Sequence, residues 1–394
     1  VAAECLFYLT ALLGRETVDR KPNPRIQEAL PYYHRFWKTY GADSLYAAKV
    51  AVAGIPAMRK AGKIEEAMKR LQSVISEIAK TPDLPGLEEA IGSYTDEYLK
   101  DHSVRELQEH YLSGHGSPAQ KALFRIAVIE AYENRPSGSL SQKDQDYAKA
   151  VIKTLFRELQ QDFKLKDLNR FVLIKVGDHF RLEEKKPEIA RRYYQEALNR
   201  RGQSRLFQAI MGLAEVNAEG TAEQKQKALP LLKRVANDSG DLADREKALV
   251  LIASLYFDLK DYEKAITTAK AYLNQKKFRR HRIECQLVLG QAYEASGEID
   301  KALAAYLRIW AGSSKPSHLK HQATYHWMEL LWKRNKKTGT KSDRQIAYER
   351  GYDFIKMTGQ AIKKGSPQEK AQWQKIADLV KTYEASPDTK QIGE

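Results

Sequence analysis

The side chains best equipped for chemistry are nine histidines, three of them in "HLKHQATYH" as His318, His321 and His326. Residues three or four apart share a helix face, so His318 and His321 are spaced as a ligand pair would be, while His326 points elsewhere. A zinc site needs more donors, and there is no zincin pattern, adjacent cysteine or spaced carboxylate, so no metal is expected and the rings read as surface or interhelix contacts. His102, His110 and His115 are scattered, and "SGHGS" reads as a turn. "KKTGTK" has lysines but lacks the strand and glycine spacing of a phosphate loop. Glu65/Glu66 and Glu183/Glu184 are sequence neighbours that splay apart on a helix, so they read as solvated faces. Cys5 and Cys285 lie far apart inside apolar helical patterns and read as small core residues, forming neither a disulfide nor a zinc site. With no nucleophile motif and no converging acid and base, neither an enzyme nor a cofactor is expected.

Charge offers a different chemistry. The chain carries a net charge of +15, residues 1–150 hold 20 basic and 20 acidic side chains, and residues 270–364 hold 20 basic against 8 acidic. Two runs concentrate this excess. "NQKKFRRHRIEC" packs Lys276, Lys277, Arg279, Arg280 and Arg282 around Phe278, and "WKRNKKTGTK" adds Arg334, Lys336 and Lys337. A basic run enclosing an aromatic has the makings of a nucleic-acid grip, through phosphates and a stacked base. It equally fits a solvated turn between helices, or a rim that attracts an acidic protein.

The elements that must position these residues are helical. Hydrophobic residues make up 42% of the 394, and only 13 Pro and 22 Gly interrupt long stretches of Ala, Leu, Lys, Glu, Gln and Arg, which favours ordered helix throughout. No strand is expected; "RFVLIK" is β-rich locally but continues into a helical pattern and reads as a buried turn of helix. "SPAQKALF" marks a helix start, because Pro118 at the first helical position needs no amide partner. No stretch reaches the length of an apolar membrane span. The opening "VAAECLFYLTALLGRE" has no basic region before its apolar residues, unlike a secretory signal. Starting inside a helical pattern without Met, it reads as a processed protein or a piece of a longer array. Low cysteine use suits a reducing cytoplasm and a bacterial periplasm alike.

An internal repeat organises the helices. "ALVLIASLYFDLKDYEKAITTAKAYL" and "CQLVLGQAYEASGEIDKALAAYLRIW" align at an offset of 37, matching Ala253 with Gly290, Tyr256 with Tyr293 and Ala265 with Ala302. A third copy supplies Gly177, Phe180, Ala190, Tyr194 and Ala197, its turn one residue longer. Leu289, Gly290, Tyr293, Gly297, Ile299, Ala302 and Tyr306 form the best copy; Gln286 stands where a Trp is usual, and the closing Pro comes late, as Pro316. These spacings resemble the tetratricopeptide repeat (TPR), a helix-turn-helix unit of about 34 residues.

The resemblance implies an all-α fold, a right-handed superhelical array of antiparallel helix pairs. The expected divisions are TPR-like pairs over 1–82, with Ala29, Tyr33, Phe36, Trp37, Gly62 and Pro82; non-consensus hairpins over 83–168, continuing the array or hinging it; consecutive repeats over 169–315; and a final pair, capping helix and frayed tail over 316–394. In the family the first helices line a concave groove. The corresponding positions here are Ile174, Asp178 and Arg181, then Val250, Ser254 and Phe257, then Leu287, Gln291 and Glu294. Chaperone-binding members hold a C-terminal carboxylate with a Lys and Asn clamp. Val250 and Ser254, or Leu287 and Gln291, stand there instead, which disfavours a chaperone tail. The implied activity is non-catalytic binding of a protein or peptide segment, with an acidic partner for the basic rim; the alternative is an RNA-binding helical repeat using the basic C-terminal half.

Overall fold

Helices begin where a short polar side chain can satisfy their free amides. Ser103, Thr221, Ser342 and Ser366 each form a reciprocal cap with Glu106, Gln224, Gln345 and Glu369 three residues on, so each side chain accepts from the other residue's backbone N–H. Ser117 starts a helix at Pro118 as expected, its hydroxyl accepting from the Gln120 N–H at 3.3 Å. The computed structural model describes every residue except 1, 19–20, 43, 79–86, 114–116, 135–140, 202–204, 313–316, 339–340 and 387–394. Pro82, His115, Pro316 and the tail therefore lie outside the described residues.

The protein is an all-α repeat array with nineteen α-helices among the described residues. "RFVLIK" is helical, with Phe171, Val172, Leu173 and Ile174 all buried. Strand does occur, against expectation, as two two-residue antiparallel ladders, β1 (Thr17–Val18) with β2 (Lys21–Pro22) and β3 (Lys337–Thr338) with β4 (Lys341–Ser342). Two residues are too few to write an alternating pattern into a sequence.

The chain divides into two compact units, Val1–Val216 and Asn217–Glu394. The first holds α1 (Ala2–Leu13), α2 (Leu30–Thr39), α3 (Ala47–Lys60), α4 (Ile64–Ile78), α5 (Leu87–Tyr98), α6 (Val104–Leu112), α7 (Pro118–Glu133), α8 (Gln142–Gln161), α9 (Arg170–Leu182) and α10 (Pro187–Leu198), and it ends within α11 (Leu206–Ala218). Odd-numbered helices α1, α3, α5, α7 and α9 pack in series, and α2, α4, α8 and α10 return against their odd-numbered neighbours. In the stretch without a consensus period, α5 and α9 pack on α7, and α6 and α8 both lie against α7.

The second unit holds α12 (Ala222–Asp238), α13 (Leu242–Asp258), α14 (Tyr262–Asn274), α15 (Arg282–Ala295), α16 (Ile299–Gly312), α17 (His318–Arg334), α18 (Asp343–Thr358) and α19 (Pro367–Glu384). Here α13, α15 and α17 pack in series as first helices, with α14, α16 and α18 returning, and α19 closes against α17 and α18. Trp332 of α17 stacks on Tyr383 of α19 with ring centroids 3.7 Å apart.

The repeat signature has a steric cause. A Cβ at Gly290 would meet the Tyr306 ring at 2.5 Å, and Cβ atoms at Gly177 and Gly212 would meet the Tyr194 ring at 2.9 and 2.3 Å. The return-helix tyrosine thus lies where only glycine leaves room. In the turns between paired helices Gly62 and Gly297 take φ of +71° and +81°, and Lys185 and Lys260 take the same left-handed conformation at 55° and 63°.

Candidate interaction surface

First helices and return helices are tied by a tyrosine–carboxylate hydrogen bond in three pairs, with the carboxylate at a different repeat position each time. Tyr194 of α10 donates to Asp178 of α9, Tyr272 of α14 to Glu246 of α13 at 2.9 Å, and Tyr306 of α16 to Glu294 of α15 at 2.7 Å. Burial, reinforced by the carboxylate, pushes all three phenols up in pKa, so they remain donors. Burial also raises Asp178 above the usual carboxylate range despite Tyr194. At Glu294 burial is outweighed by the adjacent His326 ring and the Tyr306 hydrogen bond, and the carboxyl is held low.

The residues expected to line a groove therefore differ in availability. Ile174, Val250 and Leu287 are buried. Asp178 and Glu294 accept the tyrosine bonds, Glu294 also lies 3.3 Å from His326 Nδ1 on α17, and Arg181 pairs with Glu215 at 2.7 Å. Ser254, Phe257 and Gln291 are partly exposed on α13 and α15, which pack side by side. Asp178 also borders an open cleft of about 170 Å³ together with Glu130, Glu133, Lys175, His179 and Glu183.

The basic run 276–282 is a structured loop. Phe278 is only 3% exposed and stacks against Tyr272 at 5.2 Å, so it belongs to the core and offers no face to a nucleobase. Glu246, 3% exposed, accepts from the backbone N–H groups of Arg279 at 3.2 Å and Arg280 at 2.8 Å. The His281 N–H closes the network by donating to Tyr272 Oη at 3.1 Å. Burial raises the pKa of this carboxyl, but the Arg280, Tyr272 and Arg279 donors together hold it below its usual value. Outside this clamp the side chains of Lys276, Lys277, Arg279, Arg280 and Arg282 are exposed, and no ion pair engages them among the described residues.

The second run repeats the device. Asp343, 1% exposed, takes two bonds from the Arg334 guanidinium, at 2.7 and 2.9 Å, and one from the Lys336 N–H at 2.7 Å. Arg334 also pairs with Asp300. The Arg334 hydrogen bonds hold the Asp343 carboxyl below its ordinary value against burial. Arg334 is accordingly an internal brace, Lys336 is exposed, and the Lys337 side chain lies outside the described residues.

The histidines separate as well. His318 is exposed, whereas His321 is fully buried against Phe354, with Nδ1 3.3 Å from the Glu369 carbonyl of α19. His326 stacks on Tyr306. Among the described residues no group of three His, Cys, Asp or Glu is placed to hold a metal. Cys285 is buried as expected, its thiol pushed up to about 12 by burial, but Cys5 is exposed on α1 rather than part of the core. No described helix is long and apolar enough to cross a membrane.

Residues 246–277, which contain Glu246, α14 and the Ala253, Tyr256 and Ala265 signature, match the family model of the tetratricopeptide repeat. The array is TPR-like. Among solved structures, c5321, a protective antigen of uropathogenic Escherichia coli with an SLR fold, is 14% identical; the match covers 99% of this chain and 94% of that one, with a TM-score of 0.36. The P58(IPK) TPR domain is 12% identical, with 98% and 100% covered and a TM-score of 0.27. No curated protein matches.

Glu246 and Asp343 escaped sequence reasoning. Glu246 had a signal: it lies three, four and seven residues before Leu249, Val250 and Ala253, so an acid sits on the core stripe of a TPR-like first helix. Asp343 had none, because an acid in the first turn of a helix is ordinary.

Proposed function

We propose that this TPR-like chain is a non-catalytic interaction scaffold. The partly exposed face of α13 and α15, around Ser254, Phe257 and Gln291, receives a segment of a partner protein, and the 276–282 loop receives acidic side chains of that partner. The observation that carries this reading is a loop whose backbone is locked by Glu246 while the five cations at 276–282 are exposed and engaged by no ion pair among the described residues. Positive charge on a rigid support raises encounter rate and selects acidic surfaces. The buried Phe278 weighs against an RNA grip at this loop, since single-strand binding draws on exposed aromatic platforms.

The test compares wild type with the triple variant Lys276→Glu, Arg279→Glu, Arg280→Glu in quantitative capture from a lysate at several salt concentrations. Capture of an acidic protein should drop about tenfold or more in the variant with an unchanged melting temperature. Equal capture by both proteins would remove the loop from the interface. Saturable retention of a mixed RNA pool, lost steeply with salt, would favour the nucleic-acid reading instead.

A further inference from the structure

A second surface follows from residues that the repeat pattern leaves over. On α16 Ala302, Leu303, Ala305, Tyr306 and Ile309 are buried. Leu307 and Trp310 follow Leu303 by four and seven residues on one face of the helix, and this face opens to solvent at Leu307, 47% exposed. With Thr324 and Trp327 of α17 and Ile346 and Arg350 of α18 they line an open cleft of about 240 Å³. The Lys320 ammonium and the Arg350 guanidinium each lie 5.9 Å from the Trp310 ring centroid. Arg350 is exposed and has no acidic partner among the described residues.

We propose that this cleft, walled by the return helices α16 and α18, docks an acidic peptide segment through one large apolar anchor side chain. Its size selects the ligand class: small-molecule pockets run from roughly 300 to 1,000 Å³, and about 240 Å³ suits a single aromatic or branched aliphatic group. Its walls supply apolar contact through two tryptophans, and buried aromatic pockets are where interfaces concentrate their energy. Its charge selects the flanks. Arg350 at the mouth, in a region with 20 basic and 8 acidic side chains over 270–364, attracts Asp or Glu beside the anchor and repels Lys or Arg. The site is walled by the return helices α16 and α18 with α17 between them, and it shares no lining residue with the α13 and α15 face proposed above.

Fluorescein-labelled peptides EDFDE, EDGDE and KRFRK, titrated against the full chain by anisotropy, test it. EDFDE should bind, EDGDE and KRFRK should bind at least tenfold more weakly, Trp310→Ala should weaken EDFDE about 30-fold, and Arg350→Glu about tenfold. In the loop variant Lys276→Glu, Arg279→Glu, Arg280→Glu the preference for EDFDE over EDGDE should persist, because the phenylalanine is read at Trp310 and the loop acts on charge alone, which separates this site from the loop. Arg350→Glu alters an exposed side chain, so its result stands even where Trp310→Ala fails to fold. No EDFDE binding tighter than about 1 mM, equal binding of EDGDE or KRFRK, or wild-type affinity in Arg350→Glu would overturn the proposal. So would an RNA pool whose binding depends on the same two residues.

Discussion

Replacing Glu246 with alanine isolates the clamp beneath the basic loop. Three donors converge on this carboxylate: Tyr272 Oη and the Arg279 and Arg280 amides. An orphaned buried donor costs about 1–3 kcal/mol. Tyr272 Oη is fully enclosed and should cost near the upper end, while water can reach the two loop amides and reduce theirs. Together these amount to about 3 kcal/mol, and at 2–4 °C per kcal/mol for a unit of this size the melting temperature should fall by roughly 6–12 °C. Loss should not be uniform. Hydrogen exchange at the Arg279 and Arg280 amides should accelerate more than at the α15 amides, because only the former lose their acceptor directly. Glu246→Gln, keeping shape but not charge, should show a smaller loss of about 1–2 kcal/mol. Urea and thermal unfolding with exchange at single amides measures all of this. Unchanged exchange at Arg279 and Arg280, or a melting shift below about 2 °C in Glu246→Ala, would refute the clamp. Acid adds a check on sign. The folded pKa lies below the ordinary glutamate value of 4.5, so the contribution is complete above 4.5 and disappears as pH falls through the folded value; Glu246→Ala should lose that part of its acid sensitivity.

Three further outcomes are expected. Burial lowers the His321 pKa below 6.5, so on acidification below 6.5 the unfolded chain takes up a proton that the folded ring refuses, and stability falls; His321→Phe should flatten the dependence of unfolding on pH below 6.5. Gly212→Ala would place a Cβ 2.3 Å from Tyr194 Cε1 and should destabilise by about 1–3 kcal/mol, whereas Gly92→Ala, inside α5 with nothing within 4 Å, should stabilise by about 0.5–1 kcal/mol; matched urea curves compare them. Lys260→Gly, relieving a left-handed φ of 63°, should raise the urea midpoint, with a gain of about 0.5–1 kcal/mol.

Legibility followed distance along the chain. The turn at Gly297, the small residue Gly290 and the aromatic Tyr306 sit within one repeat, so their spacing alone exposed a helix pair. Phe278 misled because its neighbours are Lys277 and Arg279, while the ring that covers it, Tyr272, belongs to the preceding helix. The bonds from Arg279 and Arg280 to Glu246 span more than thirty residues, and nothing local encodes them. Groove positions carried over from the family fall on α9, α13 and α15, and the availability of each side chain there was not legible. Whether Asp178 is free depends on the register of α10, which brings Tyr194 to it. Trp310 and Trp327 carry no local signal of a shared cleft, because Ile346 and Arg350, which line it with them, belong to α18.

Tyr194 touches glycines on both α9 and α11. One of these belongs to its own helix pair and the other to the next, so the pair is not the exchangeable module of this protein. A transplanted α9–α10 segment would arrive with half of its tyrosine socket missing unless the leading helix of the following repeat came too. The natural cut for shuffling or shortening the chain therefore falls after a first helix, in the turn that precedes its return partner.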